Sequence, residues 1–572
     1  MKACRVEPAV VACNALISAL EKCSCWQRAL SSLISVGINA DIVTFNAALG
    51  ACAKAQAWPF ALELFGDMSA SKLQPDAVSY NVVIGACERS SQWEAVLALL
   101  REESSTFGKL VADLCTPNSG TFITRLLDLE SKSNSDLCHL VWRFAKLAQA
   151  ALFDVDIRCI TRAATTVLTV AVNRDLHLSE ISTYLWSLAV LGVNGPGVRR
   201  LMLQLRKRLA AGQEKLLPLS LLANIIWAVA MMKDLELLVL QKEMVARSKM
   251  DFWQTLDFAS AALEVLWASA FVQRLPVQVE NSLSESVRRI AGELDRRPSP
   301  ALSSPATSSG PQKDRESESP RILRCYSDRV VVYKPPGWQV DDALAERRLP
   351  LSSWLHRALA GQQNLLEDLQ HRRGFIHRLD VPTSGLLLVA TSYAAYYDMQ
   401  LQLMARRMTR QYLVLCHGWL GARTKIEARI HSLEDGPSWY RSSRISSVGG
   451  RPSATLLEPV AYATMDEKAF TLTDFQIVTG RRHQIRVHTA HCGYPTMSDA
   501  RYTAEATFKD DSSRCPRNFL HRYRLKFEVA DMAAQMRYQE VEEQLPQDLA
   551  NILDLLVPVS AASAQGIRRS RP

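Results

Sequence analysis

Two textures of hydrophobic patterning divide the chain. In the first half, apolar residues recur at helical spacing in segments that align with one another, the mark of one supersecondary unit repeated. VVACNALISALEKCSCW, IVTFNAALGACAKAQAW and AVSYNVVIGACERSSQW set Asn14, Asn46 and Asn81 at intervals of 32 and 35, each followed twelve residues later by Trp26, Trp58 or Trp93. A second amphipathic stretch follows, FALELFGDM in the best copy. The pattern predicts a helix–turn–helix unit of about 35 residues. A second periodicity sets Trp142, Trp186, Trp227 and Trp267 at intervals of 44, 41 and 40, each one turn before Ala145, Ala189, Ala230 or Ala270. A large aromatic above a small residue is what a close helix–helix contact needs. The longest uncharged run, 216–232, falls on this period and contains Pro218, Ser220 and Asn224. It is short for a membrane span, and a buried repeat helix is predicted.

Past residue 295 the chain becomes RRPSPALSSPATSSGPQKDRESESP, too poor in large apolar side chains to offset its ordering entropy, and a disordered linker is predicted. Short runs of β-forming residues follow, RVVVYK, GLLLVA, QYLVLC, AFTLTDFQIV and HQIRVHT, with Gly and Pro between them. Read as a strand, QIRVH places Ile485 and Val487 on a core face and Gln484, Arg486 and His488 on the other. The fold class is therefore multidomain: an all-α helical-repeat solenoid, then an α+β half with a mixed or antiparallel sheet. The predicted boundaries are 1–105, 106–294, the linker 295–321, a strand-rich domain 322–558, and a solvated basic tail 559–572 ending GIRRSRP.

At 572 residues the chain is too long for one core. A net charge of +9 suits a polyanionic partner without singling one out. Thirteen cysteines with no CxxC predict neither a disulfide framework nor a zinc site, and point to a reducing compartment. MKACRVEPAV has neither the features of a signal peptide nor those of an organellar presequence, and the repeats begin almost at once, as in an N-terminally incomplete chain.

The chemistry concentrates at IHRLDVPTS, residues 376–384, where Asp380 stands on the lip of the uncharged run GLLLVA. No GxSxG, glycine-rich phosphate loop or zincin motif is present. His483, His488 and His491 do not converge along a strand, so no metal is expected. Arg378 and Arg486 are cations suited to keeping Asp380 ionised, in a salt bridge that is either structural or catalytic. Tyr412 can stack on a nucleobase. The clusters HRR, ARRMTRQ, GRRHQIR and RNFLHRYRLK predict a phosphate-binding groove.

Residues 322–530 resemble an RluA-type pseudouridine synthase. The resemblance rests on VYKPPGWQV, GFIHRLDVPTSGLLLVAT, RQYLVLCHG, TGRRHQIRVHTAHCGYPTMSDARY and LHRYRLKF, in that order. It implies the synthase fold, with Asp380, Tyr412 and Arg486 as catalytic aspartate, active-site tyrosine and paired arginine. It further implies substrate contacts from His377, Arg378, Thr383, Arg481, His483, Gln484, His488 and His521. Asp380 would attack the ribose anomeric carbon or abstract the neighbouring ribose proton. The freed uracil would rotate and rejoin through carbon 5, with no metal or cofactor. Three positions depart from the family pattern: Arg482 for a threonine, Ser498 for a glycine and Arg522 for a small residue.

VTFN, GACAKAQAW, ALELFGDM and LQPD resemble the pentatricopeptide repeat family over about 8–105. This implies single-stranded RNA binding at about one base per repeat. By that family's pattern, Asn14 with Asp41 and Asn46 with Asp76 would prefer uridine, while Asn81 lacks a terminal partner. A protein-binding solenoid is the alternative there; the WxxA repeats look like octotricopeptide-type repeats, with an ordinary α-solenoid of no RNA role as the alternative. The expected function is an RNA pseudouridine synthase with RNA-binding repeats, acting as a monomer on rRNA, tRNA or organellar mRNA without membrane or metal. The alternative is a non-catalytic organellar RNA-processing protein. The repeat families point to a mitochondrion or chloroplast.

Overall fold

The computed structural model describes residues 26–36, 41–55, 57–70, 133–150, 157–211, 218–232, 237–248, 256–296, 318–340, 350–359, 364–421, 425–432, 442–446, 450–530 and 536–571, with a few isolated positions before residue 84. They fall into two compact units, one ending at Arg174 and one beginning at Asp175.

The first unit holds α1 (Trp26–Val36), α2 (Ile42–Lys54), α3 (Trp58–Ala70), α4 (Asn134–Ala150) and α5 (Ile157–Ala171). Helix α2 buries Ala47, Ala48, Gly50, Ala51 and Ala53, small residues that let α1 and α3 approach closely. Trp26 packs on Phe60 with ring centroids 4.6 Å apart. Asp41 caps α2: its carboxylate accepts from the Thr44 backbone N–H at 2.8 Å and from the Thr44 hydroxyl at 2.6 Å. Asn46 accepts a hydrogen bond from Ser79 at 2.7 Å. Asn14, Asp76 and Asn81 lie outside the described residues.

In the second unit three helix pairs come first: α6 (Leu178–Leu191) with α7 (Pro196–Ala210), α8 (Leu219–Met231) with α9 (Leu237–Ser248), and α10 (Leu256–Phe271) with α11 (Val277–Asp295). The leading helices stand side by side, α6 against α8 and α8 against α10. Ala189, Ala230 and Ala270 are all buried. The uncharged run at 216–232 becomes α8, which buries Leu222, Ile225, Ile226 and Val229. A helix apolar nearly all round needs such a site. Among the described residues no helix is long and apolar enough to cross a membrane.

The remaining strands form one mixed sheet: β1 (Arg321–Cys325), β2 (Arg329–Lys334), β3 (Ser384–Ala390), β4 (Thr409–His417), β5 (Lys425–Ser432), β6 (Ser443–Ile445), β7 (Arg451–Met465), β8 (Lys468–Ile477), β9 (Leu520–Ala530), β10 (Met536–Glu542) and β11 (Val557–Pro558). The order is β1-β2-β3-β9-β4-β8-β7-β5-β6, with β10 on β9 and β11 on β7. All pairings are antiparallel except β3 with β9. Strand alternation sends Tyr412, Val414 and Cys416 of β4 into one apolar cluster and Leu413 and Leu415 into another on the opposite face.

Three expectations need correction. First, HQIRVHT is not a strand: Gln484–His491 forms helix α12, entered through His483 in the left-handed region at φ 53°. An apolar run of this length fits either period. Second, the basic end is not a solvated tail. Ala561–Arg569 forms helix α13, packed on β7 with Ile567 buried. Third, no boundary separates the last three repeat pairs from the sheet. The Asp295 carboxylate accepts from the Tyr393 and Ala394 N–H groups at 2.8 Å each, Arg407 meets Glu280 at 3.2 Å, and Arg429 donates to the carbonyls of Ala189 and Val190 at the end of α6. Of the expected linker, 297–317 lies outside the described residues; Glu318 already belongs to the folded unit, accepting from Tyr333 and Trp338.

Candidate active site

Asp380 stands in the tight loop between Ile376 and β3. Thr383 N–H closes that loop onto the Asp380 carbonyl at 3.0 Å. The Lys334-Pro335-Pro336-Gly337 turn grips it from the other side: Lys334 Nζ and Gly337 N–H both donate to the Val381 carbonyl, at 3.2 and 2.9 Å. Lys334 has no solvent exposure, and burial drives its pKa well below the usual lysine range. Gly385 is the one residue that fits the next position. Its φ is 127°, and a Cβ there would lie 2.3 Å from the Arg522 carbonyl oxygen on the parallel neighbour β9.

The cation on Asp380 comes from α12. Arg486 Nη1 donates to Asp380 Oδ2 at 3.1 Å, while its Nε and Nη2 hold the fully buried Asp499 carboxylate in a fork, both at 2.7 Å. Asp499 is itself fixed by Thr496 and by the Arg501 N–H. One guanidinium is thus locked from behind and presented forward. Tyr502 lies under that guanidinium at 5.1 Å and accepts or donates at His483 Nδ1 at 2.8 Å, while His483 Nε2 stands 3.8 Å from Asp380. Burial opposes ionisation of Asp380, but His483, Arg486 and Arg378 outweigh it and hold its pKa down to about 2. Burial also pushes His483 down to about 4, so at neutral pH the imidazole is uncharged and the two arginines supply the attraction.

Tyr412 is buried on β4, in the same apolar cluster as Leu379 and Ile485, which flank Asp380 and Arg486 in sequence. Its hydroxyl accepts from both Nε and Nη2 of the buried Arg522, whose Nη2 also reaches the Arg378 carbonyl at 3.4 Å. Arg522 therefore ties the tyrosine to the aspartate loop.

The other residues named for substrate divide sharply. Arg378 is exposed beside Asp380, and His483 and Arg481 are partly accessible. Five are corrected, because they lie below the surface, where the fold takes up their side-chain polar atoms except His377 Nδ1 and Thr383 Oγ1, which are buried without a hydrogen-bond partner. His377 is buried and accepts from the Leu388 N–H. His488, with no exposure, meets Ser453 and Thr455. His521 meets Ser384 and the Glu543 carbonyl. Gln484 holds the 479–481 turn through Thr479 and the Arg481 N–H. Thr383 is buried at the foot of β3. Sequence reasoning missed Asp499 and Tyr502, though SDARY was quoted; an aspartate beside an arginine-bearing motif was the available signal. Among the described residues no group of His, Cys, Asp or Glu could hold a metal ion.

An RNA-modifying isomerase is the class that a pinned, ionised aspartate beside a clamped tyrosine fits, and comparison with known proteins agrees. The family model for RNA pseudouridylate synthase matches residues 328–491, and models of the PPR repeat family and the PPR repeat match 40–89 and 78–102. The ribosomal large subunit pseudouridine synthase D of Nitrosomonas europaea is 32% identical over 331 residues, 54% of this chain and 86% of that protein. Synthase C of Escherichia coli is 29% identical over 259 residues, covering 43% and 76%. The solved structure of human RNA pseudouridylate synthase domain containing 1 aligns with a TM-score of 0.32 at 22% identity, over 46% of this chain and 99% of that one.

The chain belongs to the RNA pseudouridylate synthase family. It is an isomerase that converts uridine to pseudouridine in RNA, with N-terminal PPR repeats that contribute RNA binding.

Proposed function

We propose that Asp380 is the group that attacks the target nucleoside, with Arg486 as the fixed cation that aims it and Tyr412 as the residue that packs on the uracil and assists removal of the carbon 5 proton. The observation carrying this reading is the 3.1 Å contact between Arg486 and Asp380, with Asp499 locking the arginine from behind. An ionised carboxylate already oriented by a bound cation needs no reorganisation before it reacts. A uridine within a stack must be flipped out to reach it, and Arg378 at the lip suits a flanking phosphate. Lys334, Gln484, Asp499 and Arg522 position these groups.

The substrate we favour is structured ribosomal RNA, which the names of the relatives support; tRNA and organellar mRNA are the competitors. The repeats hold the RNA, residues 318–571 act on it, and the protein works as a monomer in a mitochondrion or chloroplast, as its PPR repeats favour. The test is release of tritium from RNA labelled at carbon 5 of uridine, by the full chain and by Asp380→Asn. Release by the intact chain alone supports the assignment. Release by both removes Asp380 from the chemistry.

A further inference from the structure

Aligning α6, α8 and α10 on their tryptophans shows more than the WxxA pair. Seven residues before each tryptophan stands a serine: Ser179, Ser220 and Ser260. Three residues before it stands a polar side chain that differs each time: Thr183, Asn224 and Glu264. The structure puts all of these on the accessible side. From Ile181 to Leu191 only Thr183 and Trp186 reach the surface, and from Leu222 to Ala230 only Asn224 and Trp227 do. Steps of four and three share one helical face, so each helix is buried all round except for one stripe that includes a partly exposed tryptophan. In the first unit α4 repeats the pattern with Ser135, His139 and Trp142.

Packing alone does not account for this. A helix with a single wet stripe needs polar residues there, not a large aromatic at the same register in every copy. The stripe also ends at the active site. The Arg481 guanidinium lies 5.1 Å over the Trp267 ring, and its Nε donates to the Pro452 carbonyl at 3.3 Å. Among the described residues it has no carboxylate partner. Arg481 is two residues from His483, which touches Asp380.

We propose that the aligned stripes of α6, α8 and α10 form a track for single-stranded RNA leading to the Asp380 cleft. Trp186 and Trp227 are its stacking platforms, and Arg481 on Trp267 is the phosphate contact where it meets the cleft. This rests on the functional reading above. Packed helices stand about 8–10 Å apart, against a stacked rise of about 3.4 Å per nucleotide. A strand crossing one helix per base must therefore unstack, and its bases then stack on protein. Thr183, Asn224 and Glu264 offer different donors and acceptors to successive base edges; Glu264, an acceptor when ionised, favours a base presenting an amino group.

The test uses the full chain and a short single-stranded RNA carrying 4-thiouridine, crosslinked by light and mapped to peptides, with affinity for short oligouridylate measured in parallel. Crosslinks on α6 and α8 are expected, and Trp227→Ala should weaken binding about 5- to 150-fold, the range of one lost base stack. Should that variant misfold, Asn224→Ala replaces a smaller, partly exposed side chain; it should weaken binding several-fold with an unchanged thermal midpoint. Crosslinks confined to residues 318–571, with Asn224→Ala binding like the parent, would overturn the track. Tritium release separates the two readings: release without α8 crosslinks sinks the track alone, and α8 crosslinks without release sink the catalytic assignment alone.

Discussion

Replacing Arg522 by alanine separates positioning of the tyrosine from support of the fold. Arg522 is 1% exposed, and its guanidinium donates to Tyr412 Oη twice, to the Leu386 carbonyl at 3.0 Å and to the Arg378 carbonyl at 3.4 Å. All of these acceptors are neutral. Its removal forfeits hydrogen bonds worth roughly 1.5–3 kcal/mol each but also ends the desolvation of a charge, several kcal/mol in the other direction. The second offsets the first only in part, and the buried side chain leaves a cavity behind, so Arg522→Ala should lower the melting temperature by several degrees. Catalysis has no such offset. With two donors on its oxygen, the Tyr412 hydroxyl can place its own hydrogen only away from Arg522, and the ring is held by the 4.9 Å contact beneath the guanidinium. Losing one charge-assisted bond in the step that uses this oxygen should slow it roughly 10- to 150-fold. The assay is single-turnover tritium release from RNA labelled at carbon 5, compared with consumption of 5-fluorouridine RNA, which has no hydrogen there to lose. Tritium release should fall and the fluorinated substrate should react at close to the parental rate, with Arg522→Lys intermediate. Equal slowing of both would refute the reasoning and assign Arg522 to the aspartate loop through Arg378; parental activity would deny it any role.

Asp499→Asn leaves Arg486 buried with half its fork, a change that costs roughly 3–5 kcal/mol; differential scanning calorimetry should show a melting temperature about 6–20 °C lower, and tritium release should fall with it. Two buried histidines, with the partly accessible His483, set the acid limit of stability. Burial lowers His483 and His488 to about 4 and His521 to about 3. A depressed folded pKa contributes stability above the unfolded value of 6.5 that is lost as pH falls, so urea midpoints should drop between pH 6.5 and 4, on the order of 3 kcal/mol per fully buried histidine. Asp380, depressed to about 2, loses its contribution only below 3.8; tritium release in the folded range should therefore show no acid limb from this carboxylate. Ile567→Asp buries a charge against β7 and should lower the melting temperature of the whole chain, whereas a solvated tail would leave calorimetry unchanged.

The pairing of Asp380 with Arg486 was legible because each lies inside a contiguous motif, where local chain geometry and chemistry coincide. The repeat helices were legible for the same kind of reason: periodicity is a local property. What escaped the sequence is long-range. His377, His488 and His521 look like ligands in a string of letters, yet bonds to Leu388, Ser453, Thr455, Ser384 and Glu543 from distant strands turn them inward. The helix at 484–491 was misread because eight residues of mixed polarity satisfy two periods, and the left-handed turn at His483 decides between them. The union of the last three repeat pairs with the sheet was invisible because it rests on pairings between residues far apart in the chain: α10 and α11 pack on the helix Tyr393–Met404, Asp295 meets the amides of Tyr393 and Ala394, and Arg429 meets the carbonyls closing α6. Those contacts have a consequence for function. A repeat array joined by a free linker would raise only the local concentration of RNA. On the track proposed above, one held to the sheet gives the RNA strand a defined direction of approach to Asp380, so the position of the modified uridine relative to that strand should follow the fold rather than chance encounter.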